Sequence, residues 1–515
     1  MAREEQSWLI RAATAAAVVA FLIFVANFWH PVWGFTAFLQ LDSSNDQSKI
    51  AAFKAQPVYV YPDPGGYDGQ YYAQLAYDPA LRLPETREAM DNPIYRARRI
   101  LLPALAWLLA LGQPMWIVHV YSVLNIVAWL ALAAVLWRLL AVRDLRSWLA
   151  WAGVLFSGGT ITSVRRALTD LGALALLAGG MLAVERTRGQ TGAGLVAAAS
   201  LARETSLLTL AGIVRRPWLS RVNALLVAIA IAPLALWLTY IRWLLGPGDT
   251  GWANLTLPLA GLVGKVGADV SAALHSGDRP LAWTTMAATL GLIVQAVYLA
   301  TRPRLEDGWW RVGAVYALLM LCLNSPVWDG FPGAATRVLL PMTLAFNVLV
   351  IRNRSAAAWL IVGNLAVLNG YLVMRQTSYD TRELAAGHVG AAAVVARTDH
   401  RWFNVERGWR HTTAWSSAES ALELETWPHD ERAIELDASV RSHQRLVLTI
   451  AQDGVVLWRN TVFERPLHIT LPCQVRNGRA RVDFSAGTPG ASPGTNAEER
   501  TPLFAVEDLR FRSPP

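Results

Sequence analysis

Apolar runs of about 20 residues recur along the first three quarters of the chain, and short breaks that carry arginine separate them. Because a helix needs about 20 apolar residues to cross the ~30 Å hydrocarbon core of a bilayer, this pattern predicts membrane-spanning helices. We therefore expect a polytopic α-helical membrane domain over residues 1–378, with about nine spans. The predicted spans are Trp8–Phe28, Met115–Trp137, Trp148–Val164, Ala167–Val184, Val222–Leu245, Leu281–Ala300, Val312–Leu323, Val338–Ile351 and Ala356–Val373.

The first run has the position of a secretory signal but not its sequence. It is about 20 residues long, and "WHPVWG" follows it where a signal would have a small-residue cleavage site. We expect Trp8–Phe28 to stay in place as an anchor.

Arginines mark one side of the predicted membrane domain, which the positive-inside rule makes cytoplasmic. The other side receives the segment Trp29–Arg99, the loops Gly246–Pro280 and Asn324–Arg337, and the chain from about Tyr379 onward. The N-terminus is then cytoplasmic and the C-terminal domain extracytoplasmic. The cytoplasmic arginines are Arg3, Arg138, Arg143, Arg146, Arg186, Arg188, Arg215, Arg216, Arg221, Arg302, Arg304, Arg352 and Arg354.

Two apolar segments are too short to cross. In residues 189–215, two arms of about ten residues flank Arg203 and Glu204, and ten helical residues reach only ~15 Å. This predicts a re-entrant hairpin that starts from the cytoplasm and places Arg203 and Glu204 at membrane depth. The alternative is a single helix with a structural Arg–Glu pair. The run Ile100–Gly112 is interpreted as a half-helix that leads into the next span.

From about Trp402 onward, apolar and polar residues alternate, which is typical of strands. Asp453-Gly454 between two of these segments indicates a hairpin, and "AGTPGASPGTNAEER" indicates a loop. We predict an antiparallel, jelly-roll-like β-sandwich over residues 402–515, after a linker at 379–401. The predicted strands are "ALELETW", "AIELDASV", "RLVLTIAQ", "VVLWRNTV", "LHITLP", "ARVDFSA" and "LFAVEDLRF".

Tryptophans give this sandwich a possible ligand chemistry. If Trp409, Trp415 and Trp427 are exposed, their rings can stack on glycans; the alternative is that they belong to the core.

Composition supports a membrane protein and argues against a soluble or nucleic-acid-binding protein. Hydrophobic residues make up 54% of the chain and charged residues only 16%, against ~25% charged in soluble proteins. The net charge of +8 comes from arginines in short loops that orient helices, so it does not predict nucleic-acid binding. The two cysteines, Cys322 and Cys473, lie in different domains and predict neither a disulfide nor a thiol site. Histidine spacing supports no metal site, and no cofactor is predicted.

The first extracytoplasmic segment, Trp29–Arg99, is about 70 residues long, and connections of that length are usually functional. A run of turn formers, Pro62–Gly69, places Asp68 at the start of a helix near Gln70. Asp68 there can act as a general base towards an acceptor hydroxyl, or it can cap the helix. Seven of the 13 tyrosines lie in the segment and suit either sugar stacking or a lipid-headgroup belt. They are Tyr59, Tyr61, Tyr67, Tyr71, Tyr72, Tyr77 and Tyr95.

Charged residues gather just before "ILLPALAWLL", at the predicted outer membrane surface. Guanidinium forks suit the phosphate of a lipid carrier, although arginines that flank a membrane helix also commonly extend to the headgroups. Asp170 near the outer end of a span is a second acidic candidate, and Arg337 begins another span from that side. The predicted binding residues are Tyr67, Gln70, Tyr71, Asp91, Arg96, Arg98, Arg99, Asp170, Arg203, Glu204 and Arg337.

The layout of anchor helix, long outer segment with an early aspartate, short helices and extracytoplasmic C-terminal domain resembles the GT-C superfamily of membrane glycosyltransferases. The strings "YDGQYY", "YRARRILLPALAWLLALG", "LTD", "LARETSLL" and "ATRVLLP" resemble a bacterial subgroup that forms cell-surface glycopolymers. The likeness covers nearly the whole chain.

The resemblance implies a polyprenyl-phosphate-linked sugar donor, a glycan or lipid-linked acceptor, an inverting transfer and a location in the bacterial plasma (inner) membrane. The catalytic base of the first outer loop falls on Asp68. The superfamily's usual acidic pair is absent because Gly69 follows Asp68.

Two other functions remain open. A transporter or flippase for a lipid-linked glycan also carries charges inside its membrane domain, but the sequence has no internal inverted repeat. A non-catalytic scaffold for glycan assembly would keep the sandwich and tolerate the loss of Asp68 and Arg203.

The one-sided arginines generate a test of topology. Arg3, Arg143 and Arg216 should be cytoplasmic, and the sandwich should be outside. A protease should therefore cleave the C-terminal domain only from the extracytoplasmic face of oriented vesicles. Cleavage from the cytoplasmic face alone would contradict this topology.

Overall fold

The computed structural model describes residues 2–43, 49–61, 66–248, 251–330, 334–375, 380, 382–408, 411–487 and 502–514. The chain divides into two compact units, which we call the helical unit and the strand unit. The helical unit comprises Met1–Phe28, Phe35–Ile50 and Val60–Thr377, and the strand unit comprises Trp29–Gly34, Ala51–Tyr59 and Ser378–Pro515.

The α-helices are α1 (Ala2–Ala26), α2 (Ala51–Lys54), α3 (Gly69–Leu75), α4 (Pro84–Glu88), α5 (Pro93–Ala97), α6 (Leu101–Leu109), α7 (Pro114–Leu139), α8 (Leu145–Leu155), α9 (Gly158–Arg165), α10 (Asp170–Glu185), α11 (Gly189–Ala202), α12 (Leu210–Ile213), α13 (Arg221–Leu245), α14 (Ala260–His275), α15 (Arg279–Thr301), α16 (Gly308–Leu321), α17 (Ser325–Trp328), α18 (Ala334–Val338), α19 (Leu340–Arg352), α20 (Ala357–Gly363) and α21 (Ala366–Arg375). Short 3-10 helices cover Thr36–Leu39, Glu204–Thr209 and Trp252–Asn254.

The chain is a polytopic α-helical membrane protein. Within the described residues, α1, α7, α13 and α15 are long and apolar enough to cross a membrane, and a fifth span forms if α20 and α21, bent by 45°, count as one. The predicted span Trp148–Val164 is broken between α8 and α9, because Ser157 caps the second helix through the backbone N–H of Thr160. Helices α16 and α19 have 14 and 13 residues. The number nine therefore stays a prediction.

A side-chain hydrogen bond satisfies backbone that the bend between α20 and α21 leaves free. A break in a membrane helix frees backbone carbonyls, which must find donors inside the protein. The Gly363 carbonyl accepts a hydrogen bond of 2.7 Å from the Gln295 side chain of α15. Thr343 in turn donates to Gln295 at 3.0 Å, so that α19 joins the same network.

Residues 189–215 fold back on themselves. Arg215 donates to the Val184 carbonyl at 3.0 Å, and Gly192 lies against the Val184 side chain, so both outer ends meet the C-terminal end of α10. The turn contacts the opposite end of α10, where Arg203 pairs with Asp170. The first arm is the 14-residue α11 instead of about ten residues, and the second is a 3-10 turn followed by α12. That this hairpin begins from the cytoplasm stays a prediction.

All but two of the described strands belong to the strand unit. The exceptions, β1 and β2, form a short parallel pair in the helical unit. The strands are β1 (Leu41–Asp42), β2 (Val60–Tyr61), β3 (Glu383–Val389), β4 (Ala392–Thr398), β5 (Glu406–Arg407), β6 (Thr412–Ser416), β7 (Glu419–Trp427), β8 (Arg432–Ser442), β9 (Leu446–Gln452), β10 (Val455–Val462), β11 (Leu467–Val475), β12 (Arg479–Gly487) and β13 (Phe504–Arg512).

The strand unit is an antiparallel β-sandwich with jelly-roll connectivity. One sheet has the order β10-β9-β12-β7-β4-β3, and the other has the order β11-β8-β13-β6-β5. Strands β6 to β13 alone give the two four-stranded sheets of a jelly roll, with β3, β4 and β5 added at their edges. Side chains from both sheets share one core, for example Leu448 and Val482 from the first with Leu436 and Val506 from the second. All seven predicted strands are present, and Asp453-Gly454 forms the β9–β10 turn with positive φ at both residues.

One expectation about this unit is wrong. The predicted linker 379–401 contains β3 and β4, which the sequence does not reveal because β4, "AAVVART", is mostly buried and so does not alternate. For Trp427 the core alternative holds, since its side chain is buried and its ring lies edge-on to that of Trp33 at 5.2 Å. Trp415 is half-buried and stacks on His443 at 4.6 Å, and Trp409 lies outside the described residues.

The shared core predicts where the sandwich is sensitive. Val482→Ala removes fully buried carbon from between the sheets and should cost about 2 kcal/mol or more, at ~0.8 kcal/mol per buried carbon plus the cavity. Val455→Ala, at a position 65% exposed, should cost less than about 0.5 kcal/mol. Denaturant unfolding of the two variants, followed by proteolysis of the C-terminal domain, measures the difference. Equal midpoints would contradict the shared core.

Candidate functional site

One open cavity of the helical unit, with about 1400 Å³ of empty space including its mouth, collects most of the charged candidates. Its polar wall comes from the start of α3, from α5 and the residues after it, from the turn of the 189–215 hairpin and from α18. Its apolar wall comes from the end of α16, from residues 251–255 and from residues 323–327. The predicted site residues that line it are Tyr67, Asp68, Arg96, Arg98, Arg99, Arg203, Glu204 and Arg337.

Asp68 does not cap α3, since its side chain makes no capping hydrogen bond and its backbone is already helical. Its Oδ2 instead lies 2.8 Å from Nη1 of Arg96. Arg96 also forms a two-bond fork to Asp91, at 2.8 and 2.7 Å. Burial alone would raise the pKa of Asp91, but the hydrogen bonds and charge of Arg96 outweigh it and hold that pKa below its usual value. Arg96 therefore bridges two carboxylates and orients Asp68 towards the cavity.

Gly69 sets how closely Asp68 approaches the rest of the site. A Cβ at Gly69 would fall well inside contact distance of the Arg166 carbonyl oxygen and 3.0 Å from that of Leu39. The glycines around Asp68 thus let the chain approach itself.

The second ion pair joins the outer segment to the hairpin turn. Arg99 is buried, and its guanidinium donates to both carboxylate oxygens of Glu204 at 3.2 Å. The hydroxyls of Tyr72 and Tyr95 accept from the same guanidinium at 2.9 and 3.0 Å. Because its three partners, Tyr72, Tyr95 and Glu204, belong to three different elements, Arg99 fixes α3, α5 and the hairpin in one arrangement.

The third cluster lies around the buried carboxylate of Asp170, the first residue of α10. Arg203 pairs with Oδ1, and Arg337 approaches Oδ2 at 3.3 Å. Arg337 also donates to the Tyr67 hydroxyl at 2.7 Å. The Nε atoms of Arg203 and Arg337 are buried without a hydrogen-bond partner. Two guanidiniums thus share one carboxylate, so one positive charge is left over. Their Nε–H groups also remain able to donate hydrogen bonds.

Four predicted binding residues do not line the cavity. Asp91 and Asp170 stand behind it and neutralise arginines that do. Gln70 is buried and Tyr71 lies against Arg96, with the guanidinium 4.9 Å from the ring centre, because successive residues of α3 turn away from Asp68. The ring of Tyr67, one of the predicted sugar-stacking residues, already packs against a cation, because the Arg166 guanidinium lies 4.3 Å from its centre.

Sequence reasoning missed several residues of this region. Arg166, buried against Tyr67, is not among the predicted residues, although an Arg-Arg pair inside an apolar run is itself a functional signal. Tyr95 and Trp252 line the cavity as well. Nothing in the sequence distinguishes Tyr95 from the other six tyrosines of the outer segment, or Trp252 from other interfacial tryptophans.

These observations define the protein as a polytopic membrane protein with a charged cavity in its helical unit and a C-terminal jelly roll. Among the described residues, no group of three or more His, Cys, Asp or Glu side chains is placed to hold a metal ion.

No family model matches the chain, and no curated protein matches it. A solved structure of arabinosyltransferase EmbB from Mycobacterium smegmatis aligns with 87% of this chain at 12% identity and a TM-score of 0.24. The chain spans 64% of the length of that structure, and a TM-score this low does not establish a shared fold.

The contact at Gly69 gives a test of the local packing. An exposed helical Gly→Ala change usually stabilises by up to about 1 kcal/mol, and Gly194→Ala in α11, with open space around it, should behave this way. Gly69→Ala should instead destabilise by about 1–3 kcal/mol, since the added methyl meets backbone atoms. Thermal unfolding of the two purified variants measures the sign. A stabilised Gly69→Ala protein would show that α3 is not held against Arg166.

Proposed function

We propose that this chain is a membrane glycosyltransferase of the GT-C type, which transfers a sugar from a polyprenyl-phosphate donor to an extracytoplasmic glycan or lipid-linked acceptor. The observation that carries the proposal is that the partly exposed carboxylate of Asp68 and five guanidiniums line one cavity in a membrane protein. A base and a phosphate-binding surface are the two groups that such a transfer requires.

The reaction is a single displacement at C1 of the sugar. The acceptor hydroxyl attacks C1 from the face opposite the phosphate and gives its proton to Asp68. The bond between C1 and the phosphate oxygen breaks, and its electron pair leaves with the polyprenyl phosphate. The configuration at C1 inverts. Asp68 suits the base because Arg96 orients its carboxylate at the cavity wall.

The arginines suit the leaving phosphate, whose negative charge grows as the bond breaks. The cluster contains five arginines and four carboxylates, which leaves one positive charge. That excess lies nearest Arg203 and Arg337, which share Asp170, whereas Arg96 is bound by two carboxylates. We therefore assign the phosphate to Arg203 and Arg337, with Arg98 and Arg99 beside them. The arginines are Arg96, Arg98, Arg99, Arg203 and Arg337, and the carboxylates are Asp68, Asp91, Asp170 and Glu204.

In this proposal the protein works in the bacterial plasma membrane during cell-surface polysaccharide formation. The membrane supplies the lipid-linked donor, and the acceptor reaches the cavity from the extracytoplasmic side.

Asp68→Asn tests the base. The amide keeps the shape of the carboxylate but cannot accept the proton, so transfer from a polyprenyl-phosphate sugar should fall ~10²-fold or more. Glu88→Gln, an exposed carboxylate of the same outer segment, should leave the rate unchanged. Both variants should insert and unfold like the wild type.

The outcomes separate the alternatives. Equal rates for Asp68→Asn and wild type would remove Asp68 from the mechanism and leave Glu204, the other carboxylate that lines the cavity, as the candidate base. A folded wild-type protein that binds but never transfers a lipid-linked sugar would favour a scaffold, and one that moves it across vesicles would favour a flippase.

A further inference from the structure

Helix α14 has its charged and apolar faces reversed relative to a helix in water. Its only Lys, Arg, Asp or Glu residues, Lys265 and Asp269, are buried, and Lys265 Nζ lies 2.8 Å from Asp269 Oδ1. Large apolar side chains occupy the outward face at helical spacing and expose between 39% and 68% of their surface. They are Val263, Val266, Val270 and Leu274. A soluble loop would place these side chains inwards.

The depth of α14 follows from its contacts with α15, a helix long and apolar enough to span. Thr289 Oγ1 donates to Asp269 Oδ2 at 2.6 Å, and Leu262 shares an apolar cavity with Ile293 and Val297. At 1.5 Å per residue, Thr289 lies about 15 Å and Ile293 about 21 Å along α15 from Arg279, so the first turn of α14 reaches past the middle of α15.

Three backbone hydrogen bonds join the irregular segment before α14 to the end of α16, and such bonds are what membrane depth requires of irregular backbone. Thr256 N–H donates to the Cys322 carbonyl at 2.9 Å, and Leu259 N–H donates to that of Leu321 at 2.7 Å. Asn324 N–H donates to the Asn254 carbonyl at 2.9 Å. Residues 254–259 are therefore bonded along the end of α16.

We propose that residues 251–278 form a second re-entrant hairpin, with α14 as its returning arm inside the hydrocarbon of the bilayer, and that the apolar face of α14 contacts lipid acyl chains. The sequence predicted an extracytoplasmic loop here. Lys265 is then paired at membrane depth with Asp269, and Asp329 lies 3.9 Å from its Nζ. Thr289 and the protein side of α14 shield the Lys265–Asp269 pair from lipid. The descending arm carries Trp252 and Leu255, which line the charged cavity, so lipid adjoins the wall of that cavity.

Spin-label accessibility in reconstituted bilayers tests the proposal. Cysteine at Val266 and, separately, at Val270 carries the label, because both side chains are exposed on the outward face of α14. The control is Gly277→Cys, an exposed position with open space in the turn between α14 and α15. Wild-type protein treated in the same way sets the background from Cys322 and Cys473.

Labels at 266 and 270 should collide more with oxygen, which partitions into the bilayer, than with a water-soluble nickel complex. The label at 277 should show the reverse order. Greater nickel than oxygen accessibility at 266 and 270 would place α14 in water and overturn the proposal. Protection from both reagents would show that protein, such as a second copy of the chain, covers this face, and would also overturn it. Neither result depends on whether the chain transfers sugar.

Discussion

A charge buried inside a protein must be paired, and the helical unit meets this requirement through Asp170. Its buried carboxylate begins α10, and it receives Arg203 from the hairpin turn and Arg337 from α18. Removing one partner of a buried pair costs about 3–5 kcal/mol because it leaves an uncompensated charge. Three separate parts of the chain are therefore held at one point by a carboxylate that does not itself line the cavity. The shape of the polar wall depends on this pairing.

The sequence predicts the parts of the fold whose hydrophobic period is regular. The long spans were predictable because each is a continuous apolar run, and the seven strands were predictable because apolar and polar residues alternate along them. The break between α8 and α9 was not, since Ser157 caps a helix inside an apolar run that reads as continuous. Strands β3 and β4 were missed because small buried residues give no alternation. The charged residues of the cavity could be listed from their position in apolar surroundings, but their pairing could not. It depends on contacts such as Arg99 with Glu204, 105 residues apart.

Irregular backbone in a membrane protein is tolerated where it is covered by protein or lines a cavity. Residues 203–209 and 251–259 of the helical unit lie outside its α-helices, and both contribute to the wall of the same cavity. The first brings Arg203 and Glu204, and the second brings Trp252 and Leu255. The helix breaks and the charged cavity therefore have one physical explanation. A continuous helix would direct its backbone polar groups along its own axis and could not place successive side chains around a ligand.

In the proposed transfer, the arrangement around Arg96 explains how a carboxylate that is held by an arginine could still act as a base. Arg96 donates two hydrogen bonds to Asp91, through Nε and Nη2, and pairs with Asp68 through its third nitrogen, Nη1. When Asp68 takes up a proton, its attraction to Arg96 weakens, but the guanidinium keeps a full counter-charge in Asp91. Protonation of Asp68 therefore leaves no unpaired cation at the cavity wall. If Arg96 faced Asp68 alone, each proton transfer would break a salt bridge and oppose the reaction. Asp91 thus acts through Arg96 as a positioning residue, although it lies outside the cavity.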